Sequence, residues 1–96
     1  MNPFFSIIIP MYNRERFIER TINSCLKQNF ENFEIIVIDD GSTDNSIEVV
    51  NGINDAKIKL ICHKTNRGVG PARNTGVEAA TGEWAILLDS DDELLP

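Results

Sequence analysis

Three carboxylates lie within the four residues 89–92, directly after the apolar segment 84–88. Carboxylates this close repel one another and resist removal from water, so a cation or hydrogen-bond donors must compensate for them. A second acidic segment, 39–44, follows another apolar run at 35–38. Two acidic strand ends in one small α/β protein predict a site for a metal ion and a polar ligand.

Asp89 and Asp91 are the predicted metal ligands. Mg²⁺ or Mn²⁺ takes oxygen ligands and is typically held by one or two carboxylates together with substrate phosphates. The chain has a single histidine and two cysteines without metal-type spacing, which argues against zinc. The alternative is that the acidic segment only ends a buried strand and is solvated.

The elements that must position these groups alternate along the chain. Strands are expected over 4–10, 33–39, 57–63 and 83–89, and helices over 14–29, over 44–53 and from Pro71 to a stop at Gly82. The first strand is almost continuously apolar, as in a parallel strand covered on both faces. The order β-α-β-α-β-α-β predicts a parallel, Rossmann-like sheet in a three-layer α/β/α arrangement.

Local signals add expectations about helix ends and the core. Asn13 is predicted to cap the first helix, and Thr43 or Asp44 the second. Phe17 and Trp84 are interpreted as core residues. The two cysteines are interpreted as reduced thiols packed like small apolar side chains.

Parallel strand order would bring the polar residues after each strand to one edge of the sheet, where open α/β sheets bind ligands. Tyr12 could lie flat against a base ring. Asp39 and Asp40 are acceptors for the N–H of a base or a ribose hydroxyl. Arg73 would offset the carboxylates and reach a phosphate or a ribose. His63 is interpreted as a strand-end residue rather than a catalyst.

Other ligand classes fit poorly. The net charge of −6 argues against nucleic acid and against anionic lipid. A P-loop motif is absent, and Gly68-Val69-Gly70 lacks the third glycine of a dinucleotide fingerprint. No positive leader and no long apolar stretch occur, so we expect a cytoplasmic protein without a transmembrane segment.

Four segments at regular spacing, 6–13, 34–44, 66–76 and 82–92, carry a resemblance that none carries alone. They include Ile-Ile-Ile-Pro-Met-Tyr-Asn, Val-Ile-Asp-Asp-Gly-Ser-Thr-Asp and Leu-Leu-Asp-Ser-Asp-Asp. Through them the chain resembles the amino-terminal, nucleotide-sugar-binding half of a family-two glycosyltransferase with the GT-A fold.

The resemblance implies roles for individual residues. The nucleotide-sugar-binding set would be Pro10, Tyr12, Asn13, Asp39, Asp40, Arg73, Asp89 and Ser90. Within it, Pro10 and Tyr12 would line the base pocket, and Asp40 would accept from the uracil ring. Asp91 would bind Mn²⁺ or Mg²⁺, with Asp89 supporting the ribose or the metal.

The resemblance also implies an activity: metal-dependent transfer of a sugar from a nucleotide donor, usually a UDP-sugar, to an acceptor hydroxyl, with inversion. A saccharide or lipid-linked acceptor is implied, as in cell-surface polysaccharide biosynthesis, with the protein peripheral to the inner membrane. Residues 1–96 are interpreted as the donor-binding portion of a longer domain, and no catalytic base is assigned. The alternative is a non-catalytic nucleotide-binding or signalling α/β module.

Overall fold

The computed structural model describes residues 4–28 and 32–93. Seven elements alternate along them: β1 (Phe5–Met11), α1 (Ile18–Leu26), β2 (Phe33–Asp39), α2 (Ser46–Ile53), β3 (Ile58–Cys62), α3 (Val69–Ala79) and β4 (Trp84–Leu87). The predicted element order is therefore confirmed. The predicted end of the first helix at Asn29 lies outside the described residues.

The four described strands form one parallel sheet in the order β3-β2-β1-β4. In its register, Met11 pairs with Asp39 and Asp39 pairs with Cys62. The polar residues that follow these strands therefore meet at one edge, the carboxyl edge of the sheet, as predicted.

The two faces of the sheet bury different helices. Ile7 and Ile9 of β1 pack in one cluster with Ile18 and Ile22 of α1, and Val50 of α2 belongs to the same cluster. The side chains between them on the strands point the other way, because successive strand residues face opposite sides. The opposite cluster joins Ile8, Ile36 and Ile38 to Ala72 of α3. The predicted three-layer α/β/α arrangement is confirmed.

Gly76 sets how closely α3 lies on the sheet. A Cβ atom at this position would be 2.7 Å from Cδ1 of Ile38 and would also overlap Cγ2 of Ile8. Such a contact is far shorter than normal packing allows. The absence of a side chain at Gly76 is thus a condition for the observed packing.

A buried carboxylate fastens the end of α3 to the sheet. Glu34 of β2 accepts from Oγ of Ser6 over 2.6 Å, from Nζ of Lys59 over 2.7 Å and from the backbone N–H of Thr81 over 2.7 Å. Burial raises the pKa of Glu34, but these donors outweigh burial and lower the pKa to about 2. The Ser6 hydroxyl in turn accepts from the N–H of Gly82 over 2.8 Å, so the segment before β4 is held at two points.

Two predicted core residues are not in the core. Trp84 is 61% exposed, because β4 is the last strand in the described sheet and one side has no neighbour. The expectation that β4 is buried is likewise wrong, since Leu87 is 53% exposed. Phe17 is 40% exposed, and the guanidinium of Arg20 lies 5.9 Å from the centre of its ring.

The predicted cap and the predicted start of the first helix were wrong. The helix α1 begins at Ile18 rather than at Arg14, and its first turn has no side-chain cap. Asn13 instead has a φ of 53° and accepts from the N–H of Thr43 over 2.8 Å. Asp44 does bind the start of α2, accepting from the N–H of Ser46 over 2.9 Å.

The cysteines are both free, as expected. Cys25 is fully buried in the α1 face, and burial raises the pKa of its thiol to about 11. Cys62 is exposed, so the expectation that it packs as a core residue is wrong.

Candidate functional site

A cleft of about 420 Å³ lies at the carboxyl edge of the sheet; we call it the edge cleft. Six of the predicted site residues line it: Pro10, Tyr12, Asp40, Asp89, Ser90 and Asp91. These residues follow or end three different strands, so the parallel topology brings them together. The volume is in the range of pockets that hold small molecules.

Six further residues line the edge cleft and were missed from the sequence: Met11, Arg14, Asn66, Gly68, Val69 and Ala72. A signal for one of them existed, because glycines before a helix often allow close approach of a ligand. Gly68 has a φ of 100°, a conformation that favours glycine, directly before α3. Val69 and Ala72 lie on α3, and the sequence does not reveal how this helix packs on the sheet.

Asp40 is the most constrained acidic group of the cleft. Its Oδ1 accepts from Nδ1 of His63 over 2.9 Å and from the N–H of Arg67 over 3.0 Å. Its Oδ2 accepts from the N–H of Gly68 over 2.8 Å. Burial raises the pKa of Asp40, but these three donors outweigh burial, so the pKa stays below its ordinary value. Asp40 is therefore a fixed anion that holds the β3–α3 loop.

Two predicted ligand-binding residues serve the neighbouring loop instead of lining the cleft. Asp39 is fully buried, and its Oδ2 accepts from the N–H of Ser42 over 3.0 Å. Asn13 donates its N–H to Oγ of Ser42 over 2.9 Å, and its Oδ1 accepts from the N–H of Thr43. Asn13 thus connects the loops that follow β1 and β2, whereas Asp39 holds the start of the loop that follows its own strand. Together they fix the wall from which Tyr12 and Asp40 project.

Tyr12 and Arg14 give one wall of the cleft an aromatic ring and a positive charge. Tyr12 is 41% exposed. Arg14 donates from Nη1 to the carbonyl oxygen of Tyr12 over 3.3 Å, while its buried Nε has no hydrogen-bond partner among the described residues. The N–H of Arg14 donates to Oγ of Ser46 over 2.8 Å, which fixes the backbone here.

The acidic residues of the opposite wall form a turn, Asp89–Asp92, which we call the acidic turn. The N–H of Asp92 donates to the carbonyl oxygen of Asp89 over 3.0 Å. Ser90 is buried within the turn, whereas the three aspartates are exposed. The turn thus directs its carboxylates outward and keeps its hydroxyl residue inside.

The acidic turn has the donor set of a hard cation. Asp89, Asp91 and Asp92 each offer a carboxylate oxygen, and these oxygens lie within 4.8 Å of one another. All-oxygen sets of this kind suit Mg²⁺ or Mn²⁺. Arg73, which does not line the cleft, lies beside it, with Nη2 3.4 Å from Oδ1 of Asp89. The residues present therefore fit the implied metal.

The fold and the cleft define an α/β protein that has a polar ligand site at the carboxyl edge of a parallel sheet. The chain belongs to glycosyl transferase family 2, whose sequence model matches residues 6–96. The family resemblance found in the four sequence segments is confirmed.

Curated relatives extend well beyond this chain. A glycosyltransferase of Haemophilus influenzae, described as uncharacterised, is 50% identical over 92 residues, which cover 94% of this chain and 37% of the relative. The UDP-Glc:alpha-D-GlcNAc-diphosphoundecaprenol beta-1,3-glucosyltransferase WfgD of Escherichia coli is 44% identical over 87 residues, covering 91% of this chain and 34% of WfgD. The chain thus spans about a third of the length of these relatives.

Solved structures share the fold. S. aureus TarS 1-349 in complex with UDP-GlcNAc superposes with a TM-score of 0.90 at 38% identity, covering 99% of this chain and 28% of that one. The mannosyltransferase PcManGT from Pyrobaculum calidifontis, in complex with GDP-Man and Mn²⁺, superposes with a TM-score of 0.85 at 29% identity. That match covers 95% of this chain and 28% of PcManGT.

Among residues 4–28 and 32–93, no helix combines the length and the apolar character that crossing a membrane requires.

Proposed function

We propose that residues 1–96 are the donor-binding portion of a metal-dependent glycosyltransferase that uses a UDP-sugar. The observation that carries this proposal is the edge cleft, which Asp40 lines from one side and Asp89 and Asp91 from the other. The first wall suits a base, and the second suits a metal with a diphosphate. The UDP-Glc in the name of WfgD and the UDP-GlcNAc in the TarS complex support the choice of uridine.

Asp40 reads the base. An ionised carboxylate has about four acceptor sites, and three of those on Asp40 are occupied by His63, Arg67 and Gly68. The remaining site can accept the N3–H of uracil, whereas cytosine presents an acceptor at N3 and would be repelled. Pro10 and Tyr12 line the same cleft, and the tyrosine ring can stack on the base.

Asp91 and Asp89 would hold the Mn²⁺ or Mg²⁺ ion at the diphosphate end of the cleft. When bound, such an ion offsets the negative charge that develops on the departing diphosphate. The clustered carboxylates support this assignment, as does the Mn²⁺ present in the PcManGT complex. Arg73 keeps a positive charge beside Asp89, where it would help to hold the nucleotide.

The acceptor side of the reaction is assigned by chemistry alone. The donor sugar passes to a hydroxyl of a saccharide or lipid-linked acceptor, with inversion at the anomeric carbon, and no described residue is assigned as the base. The acceptor in the name of WfgD, a diphosphoundecaprenol-linked sugar, supports the lipid-linked class. Because such a lipid lies in a membrane, we propose a cytoplasmic protein that is peripheral to the inner membrane.

Thermal unfolding with nucleotides tests the proposal. A ligand that binds only the folded state stabilises it by mass action, about 2.7 kcal/mol at one hundred times Kd. We expect UDP to raise the melting temperature in Mn²⁺ but not in EDTA. If neither UDP nor another nucleoside diphosphate gives a metal-dependent shift, the proposed function is wrong.

A further inference from the structure

His63 is a buried polar side chain to which the proposed function assigns no role of its own. Its imidazole is 7% exposed and lies between two elements. Nδ1 is 2.9 Å from Oδ1 of Asp40, and Nε2 is 2.8 Å from Oγ1 of Thr75 on α3. The imidazole ring therefore connects the Asp40 carboxylate, which follows β2, with Thr75 on α3.

The hydrogen-bond partners of His63 show that its Nδ1 carries a proton. Asp40 is an anion and can only accept, so Nδ1 of His63 must donate to it. Thr75 is 3.1 Å from the carbonyl oxygen of Pro71 and has one hydroxyl proton. That proton goes either to Pro71, with Nε2 donating to Thr75, or to Nε2 of a neutral ring. In both cases the Nδ1–H bond to Asp40 is kept.

The direction of the Asp40 carboxylate depends on this bond. The other two donors to Asp40 are backbone amides of Arg67 and Gly68, which lie in the loop that the carboxylate itself organises. His63 is the one side-chain donor among the three, and it is anchored independently through Thr75. His63 therefore determines the direction in which the remaining acceptor site of Asp40 points.

We infer that His63 is a positioning residue for nucleotide selection: it aims Asp40 so that the cleft accepts uracil and rejects cytosine. This inference rests on the proposed function, in which Asp40 reads the base. It concerns the choice between bases rather than overall affinity, because a misdirected carboxylate loses both its bond to N3–H of uracil and its repulsion of N3 of cytosine.

The test compares UDP and CDP binding in Mn²⁺ by isothermal titration calorimetry with the intact protein. For His63→Leu, we expect the ratio of the CDP Kd to the UDP Kd to fall by about tenfold, as when one hydrogen bond to a charged group is lost. For His63→Asn, whose amide N–H can replace Nδ1–H, we expect most of the ratio to return. Lys64→Ala, at the exposed neighbouring position, is the matched control and should keep the ratio.

The outcomes separate this inference from the proposed function. Should His63→Leu weaken UDP and CDP binding equally and leave their ratio unchanged, His63 only supports the fold and the inference is wrong, while the proposed function stands. Should the unaltered protein bind neither nucleotide, or both alike, the proposed base reading fails and the inference fails with it.

A second variant covers the case in which His63→Leu does not fold. Thr75→Val removes the anchor at Nε2 and leaves the bond to Asp40 in place. We then expect a smaller fall of the ratio, again restored in Thr75→Ser. If Thr75→Val folds and keeps the ratio of the CDP Kd to the UDP Kd of the unaltered protein, the positioning role is wrong.

Discussion

The hydroxyl of Thr21, buried on α1, lies 2.6 Å from the backbone carbonyl oxygen of Asp92. It is also 3.0 Å from the carbonyl oxygen of Ser90, so its single proton is shared between two residues of the acidic turn. A helix on one face of the sheet thus holds the backbone that presents the proposed metal ligands. The exposed ion pair between Arg20 and Glu93, at 2.9 Å, lies nearby but adds little, because solvent screens it.

Removing the Thr21 hydroxyl should loosen the acidic turn. In Thr21→Val we expect the affinity for Mn²⁺ with UDP to fall about tenfold or more, as for other groups that orient metal ligands. Stability should fall by about 1 kcal/mol, as for the loss of one hydrogen bond. Calorimetry and urea unfolding measure the two effects. Thr21→Ser, which keeps the hydroxyl, is the control; equal Mn²⁺ affinity in Thr21→Val would contradict the role of this contact.

Neutralising one carboxylate of the acidic turn should remove metal-dependent binding without unfolding the protein. In Asp91→Asn we expect the Mn²⁺-dependent rise of the melting temperature with UDP to disappear, because a divalent cation needs the anionic oxygen. The side chain is exposed, so the melting temperature without ligand should stay the same. Glu93→Gln removes a nearby exposed charge outside the cluster and should keep the rise. Loss of the fold in Asp91→Asn would show a structural role instead.

The Glu34 cluster predicts a specific acid sensitivity. The folded pKa is about 2 against 4.5 for the free side chain, so its contribution is complete above pH 4.5 and is lost as the pH falls towards 2. A pKa lowered this far corresponds to about 3 kcal/mol. In Glu34→Gln we expect a loss of this order at pH 7 and a flatter decline of stability between pH 4.5 and 2, measured by urea unfolding.

The exposed Glu78 provides the control for this experiment. Glu78→Gln removes the same charge from the surface of α3 and should change the free energy of unfolding by less than about 0.5 kcal/mol. If Glu34→Gln follows the same pH profile as the unaltered protein, its hydrogen bonds do not stabilise the fold in the way described.

A methyl group at Gly76 should separate α3 from the sheet. The overlap with Ile8 and Ile38 should cost about 1–3 kcal/mol, which exceeds the gain of roughly 1 kcal/mol in helix propensity. Gly52→Ala is the matched control: a Cβ there meets nothing within 4 Å, so we expect a small gain in stability. Thermal unfolding of the two variants measures the difference. A stabilising effect of Gly76→Ala would mean that the helix can move away at no cost.

The strands were predictable from sequence because their pattern depends on burial by both layers. The run Ile7-Ile8-Ile9 is apolar at every position, and the structure buries alternate members against α1 and α3. This apolar pattern is visible in the sequence of the strand alone, without knowledge of the helices that cover it. The edge position of Trp84 could not be read in the same way, since an apolar strand looks alike whether it has one neighbour or two.

The first turns of the helices were less predictable, because capping residues had better partners elsewhere. Asn13 has the right residue type to cap α1, yet its side chain accepts from Thr43, 30 positions along the chain. That competition is a tertiary effect, and a local pattern does not contain it. The start of α3 also differs from the prediction. Pro71 is its third residue rather than its first, because Gly68, with a φ of 100°, lets the chain turn earlier.

The site was predictable as far as strand ends determine it. Asp40, Asp89 and Asp91 follow strands, and parallel topology alone brings them to the edge cleft. The residues that orient these carboxylates were not predictable. Thr21 and His63 reach the site from other elements, and threonine or histidine at such positions usually only supports the fold. Only the observed packing shows that these side chains hold the acidic groups in place.

The outer side of β4 also has a practical consequence for handling the polypeptide of residues 1–96. A parallel sheet that ends in an exposed Trp84 and Leu87 offers backbone groups and apolar surface to another copy of the same chain. We therefore expect concentrated samples of this polypeptide to self-associate through that edge, and a lysine in place of Leu87 to keep them monomeric in size-exclusion chromatography.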